Sequence, residues 1–170
     1  MSPIERKMKQ LDEDLWMALV TEDENQIKFY LHLGADVNTV NPDSTETPLI
    51  YAAAEGLTSI VSLLLKKGAN PNLVDCCNWT ALIWASGAGQ LPIVKLLLAY
   101  GAAINKVCDE GSALTLAVAQ GHQLVVQHLI NEGADTNVRD CHGWSMLTYH
   151  ARNNSINQLL IENGAKDDTT

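Results

Sequence analysis

Thiol and imidazole side chains are the groups in this 170-residue chain that could do chemistry. Cys76, Cys108 and Cys141 recur at nearly constant spacing, and His142 directly follows the last of them. Such residues are common zinc ligands, which hold the metal at about 2.3 Å from sulfur. Equivalent positions on packed neighbouring helices lie about 8–10 Å apart, and a disulfide needs Cα atoms within about 7 Å. The sequence therefore predicts exposed thiols along one edge, with no metal and no cofactor.

Residue groupings typical of enzymes are not present in the sequence. The chain has five histidines, and none has the spacing of a nucleophile–base pair. No glycine-rich phosphate-binding loop follows a predicted strand, and no paired carboxylates stand out. We therefore predict that the protein is not an enzyme.

The charge balance narrows the choice of partners. The chain carries 20 acidic and 11 basic residues, for a net charge of −9. This argues against nucleic acid and against an anionic membrane surface, both of which bind basic proteins. No apolar run approaches the roughly 20 residues that span a bilayer, and the N-terminus lacks the apolar core of a secretory signal. We predict a cytoplasmic protein with a basic or neutral partner.

A repeated element must position these residues. Gly-Ala recurs five times, at 34–35, 68–69, 101–102, 133–134 and 164–165. A period of 31 to 34 residues is typical of stacked supersecondary units. The sequence of each unit predicts two helices joined by a tight turn. In the three middle units the predicted N-caps of the first helix are Thr47, Thr80 and Ser112. Any sheet is limited to hairpin-like turns between units.

The repeat resembles the ankyrin repeat, in register, over about residues 11–168. In the second unit the matching residues are Thr47-Pro48-Leu49, Ala52-Ala53, Gly56, Leu64-Leu65 and Asn72. The resemblance implies an all-α solenoid of stacked helix-turn-helix units with short β-hairpin-like fingers. It also implies a non-catalytic module that binds another protein.

We divide the chain into five units, of which the outer two are caps. The predicted segments are a flexible N-terminus at 1–10, an N-terminal capping repeat at 11–40, ankyrin repeats at 41–74, 75–107 and 108–139, and a C-terminal capping repeat at 140–168.

Two departures from the family pattern carry predictions. His150 replaces a close-packing alanine, so we expect no further unit beyond it and a complete, monomeric array. The family's T-P-L-H histidine is replaced throughout, for example by Thr115 and Thr148 in the last two units, so we expect its hydrogen bond to be missing. His122 matches a family position and is predicted to be structural.

The resemblance places the binding surface on the concave side, at the fingers and the ends of the first helices. Trp79 and Trp144 occupy equivalent positions just before the helix cap, and Trp is enriched in binding hot spots. We predict that both are partner anchors; the alternative is that each ring folds over the neighbouring finger. The other predicted binding residues are Cys77, Asp109, Glu110, His142, Glu46, Glu55, Gln120 and Arg152.

Charge is predicted to be sorted between the two faces of the array. Lysines lie on the second helices and acidic residues at the inner side, which predicts an acidic groove suited to a basic or amphipathic segment. The alternative is that these are ordinary solvated charges. Asp75 and Asp140 are predicted turn formers. The residues predicted to pack in the core from an inward-facing column are Tyr51, Trp84, Leu116 and Tyr149.

Three functions are compatible with the sequence. The first is an adaptor or inhibitor that covers a partner's surface. The second is a microbial effector that is delivered into a host cell and acts there. For a protein that is not delivered, a nuclear location is an alternative to the cytoplasm. The third, implied by the resemblance, is a substrate of an asparagine hydroxylase at Asn72, Asn105 or Asn137.

Overall fold

The fold is described by a computed structural model that covers residues 2–139, 142–143, 145–149 and 154–166. Within these ranges the chain forms helix pairs separated by short turns, as predicted. The elements are α1 (Pro3–Val20), α2 (Glu24–Leu33), α3 (Pro48–Ala54), α4 (Thr58–Lys66), α5 (Ala81–Gly87), α6 (Leu91–Ala99), β1 (Val107–Cys108), β2 (Gly111–Ser112), α7 (Ala113–Gln120), α8 (Gln123–Asn131), α9 (Met146–Tyr149) and α10 (Asn154–Glu162).

The predicted N-caps begin the first helices of the three middle units. The hydroxyl groups of Thr47, Thr80 and Ser112 each accept a hydrogen bond, at 3.3 Å, from the backbone N–H three residues on. Each bond satisfies a donor that has no partner inside the helix. Pro48 is the first residue of α3, where its missing N–H costs no hydrogen bond.

The N-terminal segment differs from the prediction of a flexible stretch over 1–10. Residues 3–10 form the first turns of α1 although their side chains are exposed. A capping box explains this start: Ser2 Oγ accepts from Glu5 N at 3.2 Å, and Glu5 Oε2 accepts from Ser2 N at 2.7 Å. Pro3 then occupies the first helical position. Local capping therefore forms this turn, without support from packing.

The helices pack in two rows around one continuous core. The first helices α1, α3, α5, α7 and α9 stack in one row, and the second helices α4, α6, α8 and α10 stack in the other. Small residues let the first helices approach closely, since Ala52, Ala85 and Ala117 are fully buried at equivalent positions. Between the rows lie Leu64 and Leu97, each of whose burial contributes about 2 kcal/mol.

A row of side-chain hydrogen bonds ties each unit to the next. In each Gly-Ala-X segment, the backbone N–H of residue X donates to a side-chain oxygen. In the first segment this bond lies within the N-terminal unit, where Asp36 N donates to Asp12 of α1 at 2.8 Å. In the other four segments the acceptor belongs to the preceding unit. Asparagines accept the other four, at 2.7 to 3.0 Å: Asn38 from Asn70, Asn72 from Ala103, Asn105 from Asp135, and Asn137 from Lys166.

The fingers between units are short hairpins, which confirms the predicted all-α solenoid with hairpin-like fingers. In the fourth unit β1 and β2 are antiparallel, with Val107 opposite Ser112 and Cys108 opposite Gly111. In the third unit a single bridge joins Val74 and Thr80. No helix in the described ranges has both the length and the apolar character needed to cross a membrane.

Candidate protein-binding surface

Equivalent positions on the first helices form one row of large side chains. The first helix of each of the first four units is followed by a residue of positive φ: Glu22, Gly56, Gly89 and Gly121. Five residues before these lie, in the same order, Met17, Tyr51, Trp84 and Leu116. We call the solvent-facing side of this row, together with the finger tips, the inner surface.

The row is largely apolar, and the solvent exposure of its side chains increases toward α1. Met17 is 65% exposed, Tyr51 and Trp84 are half-buried, and Leu116 is buried. The prediction of a core column is therefore correct for Leu116, whereas Tyr51 and Trp84 lie at the edge of the core and keep part of each ring in solvent. An edge-to-face contact with Trp16, at 6.0 Å between ring centroids, orients the Tyr51 ring.

Two tryptophans of the third unit form a pair that is held in place by Asp75. The ring of Trp79 lies 4.5 Å from that of Trp84, with the planes tilted by 48°. Trp84 Nε1 donates to Asp75 Oδ2 at 2.9 Å. Asp75 Oδ1 accepts from Cys77 N at 2.9 Å and from Trp79 N at 3.0 Å. The predicted turn-forming role of Asp75 is confirmed, and the same carboxylate also fixes an indole.

Trp79 is therefore half-buried, and its ring packs against Trp84 on the first helix of its own unit. Part of its ring faces solvent beside Trp84. A large aromatic surface that is already ordered loses little entropy on binding. The equivalent Trp144 lies outside the described residues, as do Arg152 and Asp140, so their predicted roles remain predictions.

Carboxylates gather around Tyr51 on the inner surface. Burial raises the pKa of the Tyr51 phenol, and the negative charges of Glu55, Glu22 and Glu46 raise it further. Glu55 is exposed and Glu46 is half-buried. The predicted inner-side position of these two residues thus coincides with the exposed aromatic row.

The second helices carry exposed lysines, at the positions that the sequence predicted. Lys28 pairs with Glu24 at 3.1 Å within α2. The other lysines of these helices, all exposed, are Lys66, Lys67 and Lys95.

The finger of the fourth unit adds further acidic groups. Asp109 and Glu110 are exposed at its tip. The pKa of Cys77 in the preceding finger is raised, first by the neighbouring Cys76 sulfur and to a smaller extent by Asp75 and Glu110. Glu110 therefore lies near the third finger. Of the remaining predicted binding residues, Cys77, Gln120 and His142 are exposed.

Cys108 corrects the prediction of a row of exposed thiols. It is 5% exposed, its Sγ donates to Gly111 O at 3.2 Å, and burial raises its pKa. Because the fourth finger is one residue shorter, Cys108 opens its hairpin as Asp75 opens the preceding one, and it does not align with Cys76. Among the described residues no group of three or more His, Cys, Asp or Glu side chains is placed to hold a metal ion.

Polar side chains of the inner helices and turns are used for structure. His122 Nε2 contacts Gly87 O at 2.9 Å across two units, as expected for a structural histidine. The expected loss of the T-P-L-H hydrogen bond is correct at Ile50 and Ile83, whose side chains carry no polar atom, but not in the last two units, where a threonine hydroxyl replaces the histidine. Thr115 Oγ1 accepts from Ser112 N at 3.2 Å, and Thr148 Oγ1 lies 3.2 Å from Ser145 Oγ.

Comparison with known proteins agrees with this architecture. The family model for ankyrin repeats (3 copies) matches residues 15–108 and 103–170. The chain belongs to the ankyrin-repeat family. As such an array it is a protein–protein interaction module, and the fold of this family is generally non-catalytic.

Several larger proteins contain similar segments. Palmitoyltransferase ZDHHC17 of Danio rerio is 36% identical over 61 residues, which are 36% of this chain and 10% of that protein. Palmitoyltransferase ZDHHC13 of Homo sapiens is 43% identical over 49 residues, or 29% of this chain and 8% of that protein. Glycerophosphocholine phosphodiesterase gde1 of Schizosaccharomyces pombe is 42% identical over 55 residues, or 32% and 5%. The chain thus matches a tenth or less of each relative, and the palmitoyltransferase matches lie in ankyrin-repeat regions.

Proposed function

We propose that this protein binds a partner protein through its inner surface and acts as an adaptor or inhibitor without catalysing a reaction. The observation that carries the proposal is the Trp79–Trp84 pair, which Asp75 holds in a fixed orientation while part of the rings faces solvent. Preorganised aromatic side chains are typical anchors of protein interfaces. Tyr51 and the exposed Met17 extend the apolar row toward α1.

Charge indicates the chemistry of the partner segment. Glu22, Glu46 and Glu55 surround the half-buried Tyr51, and the chain as a whole carries a net charge of −9. A basic or amphipathic segment would place apolar side chains on the aromatic row and cations beside these carboxylates. Such complementarity mainly sets the orientation of the complex and the rate of association.

The first test removes the exposed aromatic anchor. We expect Trp79→Ala to weaken partner binding by about 2 kcal/mol, or roughly thirtyfold, because it removes a hot-spot ring. The fold should persist, since the ring is half-buried at the edge of the core. The partner is first captured from a native lysate on wild-type bait, and its affinity for each purified variant is then measured by calorimetry.

Tyr100→Ala is the matched control for this test. Tyr100 is an aromatic residue of the same unit, 44% exposed, at the end of the second helix α6. It should leave the affinity unchanged. Equal losses in the two variants would place binding elsewhere. Unfolding of Trp79→Ala, seen by circular dichroism, would show that the ring is a structural cover.

The second test concerns the acidic residues. Raising the salt concentration from about 50 to about 300 mM should slow association severalfold, because exposed charges are screened over the Debye length. The rate is measured by surface plasmon resonance with the captured partner. The double variant Glu46→Gln/Glu55→Gln should show a flatter salt dependence. A rate that does not change with salt in the wild-type protein would remove the electrostatic part of the proposal.

The structure also bears on the two other functions, the microbial effector and the hydroxylase substrate. A microbial effector would use the same inner surface, so the Trp79→Ala test applies to it unchanged. The hydroxylase-substrate hypothesis receives less support, because both side-chain amide atoms of Asn72 are in use: Oδ1 accepts from Ala103 N at 2.7 Å and Nδ2 donates to Gly101 O at 3.1 Å. An enzyme that reorients this side chain would first have to break both of these bonds to the following unit.

A further inference from the structure

Two consecutive thiols lie at the tip of the third finger. Cys76 and Cys77 are both exposed, and their sulfur atoms are 3.8 Å apart. Cys108, by contrast, is buried under its own hairpin. Among the described residues, small reagents can therefore reach this pair of thiols together.

Hydrogen bonds fix the backbone that carries both thiols. Cys76 N donates to Thr45 Oγ1 of the preceding finger at 2.7 Å. Cys77 N donates to Asp75 Oδ1, the same oxygen that accepts from Trp79 N. The N–H groups before and after the Cys76 Cα are thus both held, the first by the neighbouring unit and the second by the carboxylate that orients the tryptophan pair.

We propose that Cys76 and Cys77 form a reversible oxidation site, at which exchange with a small-molecule disulfide such as glutathione disulfide closes a disulfide between them. In the first step one protein thiolate attacks a glutathione sulfur, which forms a mixed disulfide and releases one glutathione thiolate. In the second step the other protein thiolate attacks the protein sulfur of that mixed disulfide and releases the second glutathione. The two cysteines are oxidised, one glutathione disulfide is reduced to two glutathiones, and two protons leave the thiols.

Covalent geometry makes the resulting bond labile. Adjacent Cα atoms are about 3.8 Å apart. A relaxed disulfide joins Cα atoms about 4.4–6.8 Å apart, and departures from this range store strain. Strained, exposed disulfides are reduced easily and are typical of regulatory bonds. The site therefore responds to a change in the thiol–disulfide balance and does not serve as a permanent crosslink.

Closure also disturbs the inner surface. Because adjacent Cα atoms are too close for a relaxed disulfide, closure must distort the Cys76–Cys77 peptide, whose own N–H bonds Asp75. The preceding N–H, of Cys76, bonds Thr45 and is strained by the same movement. Loss of the bond to Asp75 loosens the turn that positions Trp79 against Trp84. Oxidation therefore changes the environment of both indoles, whatever partner the surface binds.

The neighbouring charges set the direction of the pH dependence. The Cys76 sulfur, and then Asp75 of the same finger and Glu110 of the next finger, raise the pKa of Cys77. Because only a thiolate attacks a disulfide, closure should accelerate as pH rises above neutral. Glutathione disulfide is itself anionic and is repelled by these carboxylates, so uncharged hydroxyethyl disulfide serves as a second oxidant.

The test uses the full chain, reduced and then treated with either oxidant. Intact mass spectrometry should show a main product that is lighter by two hydrogens, and peptide mapping should place the bond between Cys76 and Cys77. Dithiothreitol should reverse it. Cys76→Ser and Cys77→Ser should each stop at a mixed disulfide, whereas Cys108→Ser and Cys141→Ser should close like the wild-type protein.

Each alternative outcome bears on one part of the proposal. A wild-type product consisting of mixed disulfides alone, or closure that persists in Cys76→Ser, would overturn the site. If closure occurs but tryptophan emission and amide hydrogen exchange at Cys76 stay unchanged, the coupling to Thr45 and to the tryptophan pair is wrong. These readouts require no binding partner, so they stand apart from the test of the proposed function.

Discussion

Replacing Asp75 by alanine is expected to lower the free energy of unfolding by about 3 kcal/mol, because the change removes three charged hydrogen bonds and leaves their partly buried donors unpaired. Asp75 is 9% exposed as a residue, and its carboxylate accepts from three donors, the N–H groups of Cys77 and Trp79 and the indole Nε1 of Trp84. Urea unfolding followed by circular dichroism measures the loss. Tryptophan emission of the folded variant should shift to longer wavelength as the pair opens.

Asp75→Asn is the matched variant that separates the bonds to the two backbone N–H groups from the bond to the Trp84 indole. Its amide oxygen can still accept from the two backbone N–H groups, but its NH₂ group then faces the Trp84 Nε1–H, which is also a donor. We expect a cost of about 1–2 kcal/mol, from the indole alone. If Asp75→Ala unfolds at the same urea concentration as the wild-type protein, the hairpin backbone holds the turn without the carboxylate.

The helices and the caps were predictable because their signals are local and repeat in register. Thr47, Thr80 and Ser112 each stand three residues before the N–H that they cap. The unit length then followed from the Gly-Ala spacing alone. The Ser2–Glu5 capping box is just as local, and the sequence did contain the signal for the start of α1.

Contacts between units were less predictable from the sequence. Asn38 accepts from Asn70 N, and His122 Nε2 lies 2.9 Å from Gly87 O. These partners are brought together by stacking, so neither bond has a characteristic short spacing. The burial of Cys108 was not predictable for a similar reason. The fourth finger is one residue shorter than the third, so Cys108 occupies the buried position of Asp75 and not the exposed position of Cys76. Such a shift is visible only when the hairpin pairing is known.

The composition of the inner surface was predictable from the sequence, but the orientation of its aromatic side chains was not. The acidic inner side and the lysines on the second helices follow from the position of each residue in the repeat. The orientation of Trp79 depends on its contact with Trp84, whose indole is bonded to Asp75, nine residues earlier in the chain. A conformation set by three side chains together cannot be deduced from any one of them.

Gly89→Ala is expected to destabilise the protein by about 3 kcal/mol, from two sources that add. Gly89 has φ of +71°, a conformation that costs an L-residue about 1–2 kcal/mol. In addition, a Cβ at this position would lie 2.6 Å from His122 Nδ1 and 2.9 Å from its Cγ. His122 cannot move away freely, because its Nε2 bonds Gly87 O at 2.9 Å. Overpacking of this kind typically costs about 1–3 kcal/mol.

Gly133→Ala isolates the backbone contribution. Gly133 has φ of +89° and no atom within 4 Å of the added Cβ, so its replacement should cost only about 1–2 kcal/mol. In a His122→Ala background the clash is removed, and Gly89→Ala should then cost no more than Gly133→Ala. Urea unfolding of the four variants completes the cycle. If Gly89→Ala costs the same with and without the His122 ring, then backbone strain alone is responsible, and His122 does not pack rigidly between the third and fourth units.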